Sequence, residues 1–127
     1  MNKKAINAEK APAAVGPYSH AYLAGETLYL SGQLGLNPET GILEEGVAAQ
    51  AQRGLNNLAN ILESAGLSRK DIVKTTIFLA DMNDFAAVNT IYADFFKDQN
   101  EYPARSCVQV AALPKAALFE IEAIAVR

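Results

Sequence analysis

The sequence predicts an α+β domain with the element order β-β-α-β-α-β-β over residues 1–127. Three observations carry that reading. Thr27 to Leu34 alternates with period two, with Leu28, Leu30, Gly32 and Leu34 on one face and Thr27, Tyr29, Ser31 and Gln33 on the other. Gly46 to Ala65 has helical period instead, because Val47, Ala51, Leu55, Leu58 and Leu62 fall on one apolar stripe. Leu118 to Val126 alternates again, with Phe119, Ile121, Ala123 and Ala125 forming a wholly apolar face.

The other elements fit between these. Met1 to Val15 is polar and alanine-rich, an extended lead-in, and Gly16-Pro17 breaks the chain before a strand over Tyr18 to Ala24. Gly25-Glu26 turns the chain into the alternating strand, and Asn37 to Gly41 is a turn cluster. Glu44 and Glu45 suit the positive end of the first helix. Gly66 stops that helix, and Leu67 is placed to fold back on its last turn. Ile72 to Leu79 is β-branched and apolar, a buried strand. Asp81 to Asp84 offers capping oxygens to a second helix reaching about Lys97, with Phe85, Val88, Tyr92 and Phe95 along one side. Ala104 to Val110 is a strand, and it is expected to pair with Leu118 to Val126 as a hairpin across Leu113-Pro114. Two helices cover one face of such a sheet, so the other face is either polar or covered by another subunit.

Composition narrows the function classes. A chain of 127 residues fits one domain, with half its residues hydrophobic and a fifth charged. A net charge of −3 and no basic stripe argue against nucleic acid as a partner. One cysteine, Cys107, and one histidine, His20, make neither an internal disulfide nor a zinc or iron–sulfur ligand set. Asn7, Glu9 and Lys10 interrupt any signal-like apolar run, and no stretch approaches 18 apolar residues. The expected address is the cytosol, with no membrane span.

The last two strands carry the chemistry. Paired as a hairpin, they bring Arg105, Cys107, Glu120 and Glu122 onto the face away from the helices, beside Ile124 and Val126. A half-apolar open face of this kind suits a subunit interface. At its mouth an arginine holds a carboxylate bidentately, and a partly desolvated glutamate gains proton affinity suited to general acid/base work. The same pattern also fits a structural cross-strand pair of Arg105 with Glu120, and it does not separate Glu120 from Glu122. A thiol without a histidine base reads as a small buried apolar residue, and the lone His20 as a surface or hydrogen-bonded one.

Five blocks stand together in order: Gly16-Pro17-Tyr18-Ser19, Leu30-Ser31-Gly32-Gln33, Val73-Lys74-Thr75-Thr76, Pro103-Ala104-Arg105-Ser106-Cys107-Val108 and Phe119-Glu120-Ile121-Glu122-Ala123-Ile124-Ala125. From about Ala11 to Arg127 the chain resembles the Rid/YjgF family, its RidA branch in particular. The resemblance implies a chorismate-mutase-like fold. It also implies a homotrimer with the sheets around a central barrel, the helices outside and the active sites in the clefts between subunits. The implied activity is hydrolytic deamination of the enamines and imines of short 2-keto acids (2-aminoacrylate, 2-iminopropanoate, 2-iminobutanoate), without metal or cofactor. Arg105 would bind the substrate carboxylate, helped by the N–H of Gly32. The carbonyl of Cys107 would accept from the imine nitrogen, and Glu120 would activate water. Tyr18, Ser31 and Asn89 would line the pocket. Two other functions stand beside this one: a non-catalytic trimer that binds 2-keto acids through the same residues, and an endoribonuclease or translation inhibitor, against which the acidic composition argues.

Overall fold

The computed structural model describes residues 2–127; Met1 lies outside the described residues. A six-stranded sheet is built from β1 (Lys3–Ile6), β2 (Ala21–Ala24), β3 (Thr27–Leu34), β4 (Ile72–Leu79), β5 (Ala104–Gln109) and β6 (Phe119–Val126), in the order β1-β2-β3-β6-β4-β5. Helices α1 (Val47–Ser64) and α2 (Phe85–Phe95) pack on one face. The α+β class and the two-helix face agree with the sequence reading. Among the described residues, no helix is long and apolar enough to cross a membrane.

Several elements differ from expectation, and the strand expected over Tyr18 to Ala24 begins only at Ala21. The lead-in contains a strand: Lys3 to Ile6 pairs antiparallel with Ala24 to Ala21. Only Ile6 of its four residues is buried, so it gives no alternation to read. Lysines on such a short edge strand also discourage pairing with other chains. The expected hairpin of the last two strands does not form. β5 runs parallel to β4, as a crossover through α2 requires, and β6 inserts between β3 and β4. β6 has the most regular apolar alternation and is bonded on both edges, while the largely exposed β5 is left at the margin.

β3 departs from strict alternation. Leu30 pairs with Ala123 and Gln33 with Ile121, so Ser31 and Gly32 together oppose Glu122 in a bulge. The extra residue reverses the facing of the rest of the strand. Buried Gln33 takes the helix-side slot, and Leu34 turns to the open face, where Leu36, Ala117, Leu43 and Leu113 cover it.

The first helix ends as its sequence indicates. Gly66 has φ +77° and donates to Glu63, and Leu67 donates to the Leu62 carbonyl at 2.9 Å and is buried. This is a Schellman closure. Part of the open face of the sheet is apolar, beside the polar Lys74, Thr76, Ser106, Glu120 and Glu122. Tyr22, Tyr29 and Ile124 are register neighbours across three strands, with the tyrosines 42% and 52% exposed, and Val108 and Val126 are exposed on the same side.

Candidate active site

The expected site residues fall into two groups. The first lies where β5 meets α2. Arg105 pairs in register with buried Thr75, so its side chain leaves on the helix side of the sheet. Its Nη1 donates to Asn89 Oδ1 at 2.7 Å. Its guanidinium carbon lies 4.9 Å from the Tyr92 ring centroid and 5.4 Å from that of Phe85. Phe85, Asn89 and Tyr92 stand one turn apart on α2, which gives the arginine a neutral, partly aromatic cradle. Tyr92 is fixed in turn by its hydroxyl, 2.8 Å from Thr75 Oγ1. Among the described residues, the ion pairs are Arg53–Glu44 and Lys97–Asp94, so no carboxylate engages Arg105. Beside it a cavity of about 460 Å³ is lined by Asn89, Tyr92, Ala93, Tyr102, Pro103 and Arg105. A comparable cavity of about 430 Å³ opens among Asn2, Lys3, Lys4 and Arg127, but it holds none of the residues marked by the sequence.

Cys107 sits on the same strand two residues on, beside the arginine. Burial pushes its thiol pKa up against the opposing pull of Arg105, so the sulfur is held as a thiol rather than a nucleophilic thiolate. Its backbone is differently placed. The Val110 N–H donates to Leu79, so residues 106 and 108 also turn their peptide groups toward β4. Residues 105, 107 and 109 alternate with them and turn theirs to the free edge of the sheet.

The second group lies on the open face. Gly32 in the bulge sits directly under Glu120, and a Cβ there would meet the Glu120 carboxylate. Ser31 donates through Oγ to the Ser19 carbonyl at 2.7 Å and through its N–H to the His20 carbonyl at 2.9 Å. These bonds stitch the turn carrying exposed Tyr18 to the bulge. His20 serves structure: Nδ1 accepts from the Ala8 N–H at 2.9 Å and Nε2 donates to the Pro12 carbonyl at 2.7 Å. Glu120 is half-buried, and burial, then the charge of Glu122, push its pKa above the usual carboxylate range. Glu122 is exposed, so burial distinguishes the two carboxylates that pattern alone did not separate.

One chain therefore does not assemble all seven residues on one face. Glu120 aligns with Phe78 and thus with Val108, two strands across and three residues along from Arg105. At about 4.8 Å per strand and about 3.3 Å per residue, their Cα atoms lie roughly 14 Å apart, with the side chains leaving opposite faces. The expectation of a shared surface for Arg105, Cys107, Glu120 and Glu122 fails because it rested on the hairpin. Sequence reasoning also missed Phe85 and Tyr102 and took Tyr92 as packing. The spacing of Phe85, Asn89 and Tyr92 was the available signal.

Gly32→Ala offers a local test. Its new methyl meets only the end of a flexible side chain, so the melting temperature should stay within a few degrees. Activity should fall roughly tenfold or more, because the carboxylate must swing away. Parallel thermal melts and rate assays check this pair of outcomes.

The family model described as Endoribonuclease L-PSP matches residues 8–127. The 2-iminobutanoate/2-iminopropanoate deaminase of Escherichia coli K12 is 54% identical over 125 residues, covering 98% of each chain. The Homo sapiens protein of the same name is 48% identical over 126 residues, covering 98% of this chain and 90% of the human one. The crystal structure of the YjgF gene product from E. coli superposes with a TM-score of 0.94 at 53% identity, again over 98% of both chains. With a family model matching nearly its whole length and relatives this similar, the chain belongs to the Endoribonuclease L-PSP family, the Rid/YjgF group to which its motifs point.

Proposed function

We propose that this chain is a 2-iminobutanoate/2-iminopropanoate deaminase, a hydrolase that converts short 2-imino acids into 2-keto acids and ammonia. The observation that carries the reading is Arg105: a guanidinium held by neutral partners, without a carboxylate, at the mouth of a cavity. Such a group is preorganised for a carboxylate ligand. Relatives at 48–54% identity that bear this activity's name support the reading.

The active unit is a homotrimer with its open sheet faces turned inward around a barrel. The apolar row of Tyr22, Tyr29 and Ile124 supports this, since so much exposed apolar surface suits an interface. The separation of Arg105 from Glu120 supports it more sharply. A four-carbon acid does not reach both in one chain, so Arg105, Cys107 and Asn89 of one copy face Glu120, Gly32, Ser31 and Tyr18 of the next.

In that cleft Arg105 and the Gly32 N–H hold the substrate carboxylate, and the outward Cys107 carbonyl accepts from the imine N–H. Glu120 takes a proton from water as the oxygen bonds to the imine carbon and the C=N electron pair moves to nitrogen. The protonated glutamic acid then returns the proton to nitrogen. Glu120 next takes the hydroxyl proton of this carbinolamine and passes it to the amine nitrogen; the O–H electron pair forms the C=O of the ketone as the C–N bond breaks and ammonia leaves. Each step uses groups of the chain and water.

The decisive assay generates the imine in situ with a threonine dehydratase and traps it with semicarbazide. The protein should suppress semicarbazone formation; full semicarbazone yield would leave a keto-acid-binding trimer as the better reading. A second test addresses the assembly. Light scattering should give about three times the 13.6 kDa chain mass. Arg105→Ala and Glu120→Gln chains, each inactive alone, should regain part of the activity when unfolded and refolded together. No recovery in mixed trimers would remove the shared cleft.

A further inference from the structure

The active-site carboxylate is backed by a polar stripe on α1 that the apolar count does not reveal. Gln50, Gly54 and Asn57 succeed one another along the helix and are all buried, Gly54 against Phe119 of β6 and Asn57 against Leu34 of β3. Gly54 admits the Phe119 ring, which lies 2.8 Å from where a Cβ would be. Asn57 donates from Nδ2 to the carbonyls of Leu34 and Leu36 at 3.2 and 2.9 Å, while its Oδ1 is buried without a partner.

Gln50 ties two separate segments. Its Oε1 accepts from the Leu118 N–H at 2.8 Å, and its Nε2 donates to the Glu44 carbonyl at 3.0 Å. Its backbone also fills the space above Gly35. Leu118 matters because of what flanks it. Immediately upstream, Lys115 and Ala116 both sit in the left-handed region, at φ +58° and +55°, which side chains with a Cβ avoid. Two residues downstream is Glu120. A strained turn thus feeds directly into the strand that carries the carboxylate, and the one side chain bonded to the peptide between them is Gln50.

We propose that Gln50 is a positioning residue for Glu120. It holds the Leu118 peptide so that the strained turn does not relax into β6, and so keeps the carboxylate over Gly32. The proposal rests on the deaminase reading above, in which Glu120 activates water. Glu44 has a second tie to α1, because Arg53 Nε reaches Glu44 Oε2 at 2.8 Å. The loop end of the bridge is therefore redundant; at the other end the Leu118 carbonyl accepts from the Ala80 N–H at 3.2 Å, but its N–H is held by Gln50 alone among the described residues.

Three variants separate these roles. Gln50→Met removes both bonds and should lower kcat roughly 10- to 100-fold with KM within about twofold, since the carboxylate-binding arginine is elsewhere. Gln50→Glu retains an acceptor for the Leu118 N–H and should recover most of the lost kcat. Arg53→Met loosens only the Glu44 loop and should behave as wild type. The carboxyl titration of Glu120, followed by carbon NMR, should move in Gln50→Met and not in Arg53→Met; this signal needs no turnover. Should Gln50→Met fail to fold, Gln50→Ser, short enough for water to reach both partners, takes its place with the same expected order. Wild-type kcat in Gln50→Met would overturn the proposal, as would an equal rise in KM, or an Arg53→Met defect of the same size. An inactive wild type whose Glu120 titration still depends on Gln50 would instead overturn the deaminase reading alone.

Discussion

Arg105→Ala should lower kcat/KM for the imine roughly 10²- to 10⁴-fold. Two charge-assisted hydrogen bonds to a carboxylate are each worth about 1.5–3 kcal/mol, and each 1.4 kcal/mol is tenfold. The fold should tolerate the change. Arg105 is exposed and without an ionic partner, so alanine leaves no buried charge behind; it removes one bond to Asn89 and two aromatic contacts. Competition with the semicarbazide trap, together with a melting curve, measures both halves. Retention of full turnover would show that the substrate carboxylate is held elsewhere.

Glu120→Gln should lower kcat roughly 10²- to 10⁴-fold while leaving keto-acid binding nearly intact, because it removes a proton acceptor and keeps the shape. The wild-type rate has a matching pH signature. Burial and Glu122 raise the pKa of Glu120, so its basic form is lost as pH falls through a value above the usual carboxylate range. The acid limb of kcat should lie there and vanish in the variant. Stability runs the other way. A carboxyl with a raised folded-state pKa favours folding when protonated, and that benefit is lost as pH rises from the unfolded value through the folded one. The glutamine variant should therefore melt higher than wild type above that window and equally below it. Scanning calorimetry across pH checks the sign; a glutamine variant less stable at neutral pH would mean that the carboxylate makes a favourable contact when charged.

Much of this was legible in the residues. Period-two and period-3.6 patterns located β3, β6 and both helices to within a few residues, a β-branched apolar run located β4, and Gly66-Leu67 announced the helix closure. What failed is what pattern does not encode. Strand order is set by which edges are bonded, and nothing in Ala104 to Gln109 says whether its neighbour is Ile72 to Leu79 or Phe119 to Val126. The bulge at Ser31–Gly32 is equally silent, because a strict alternation over eight residues looks the same with one residue displaced. Both errors bear on the site, since they decide which face Arg105 and Gly32 use. The buried stripe of Gln50, Gly54 and Asn57 escaped for a related reason: hydrophobic periodicity counts apolar side chains, and this face of α1 is made of amides and a glycine.

The margin position of β5 carries a last consequence. Because the edge peptide of residue 107 faces outward through strand register, the acceptor it offers is not written in the codon for that position. Serine, alanine or valine at 107 would present the same oxygen. Drift at this site would then be invisible in activity, and any search for functional positions based on which side chains persist among relatives would rank residue 107 too low.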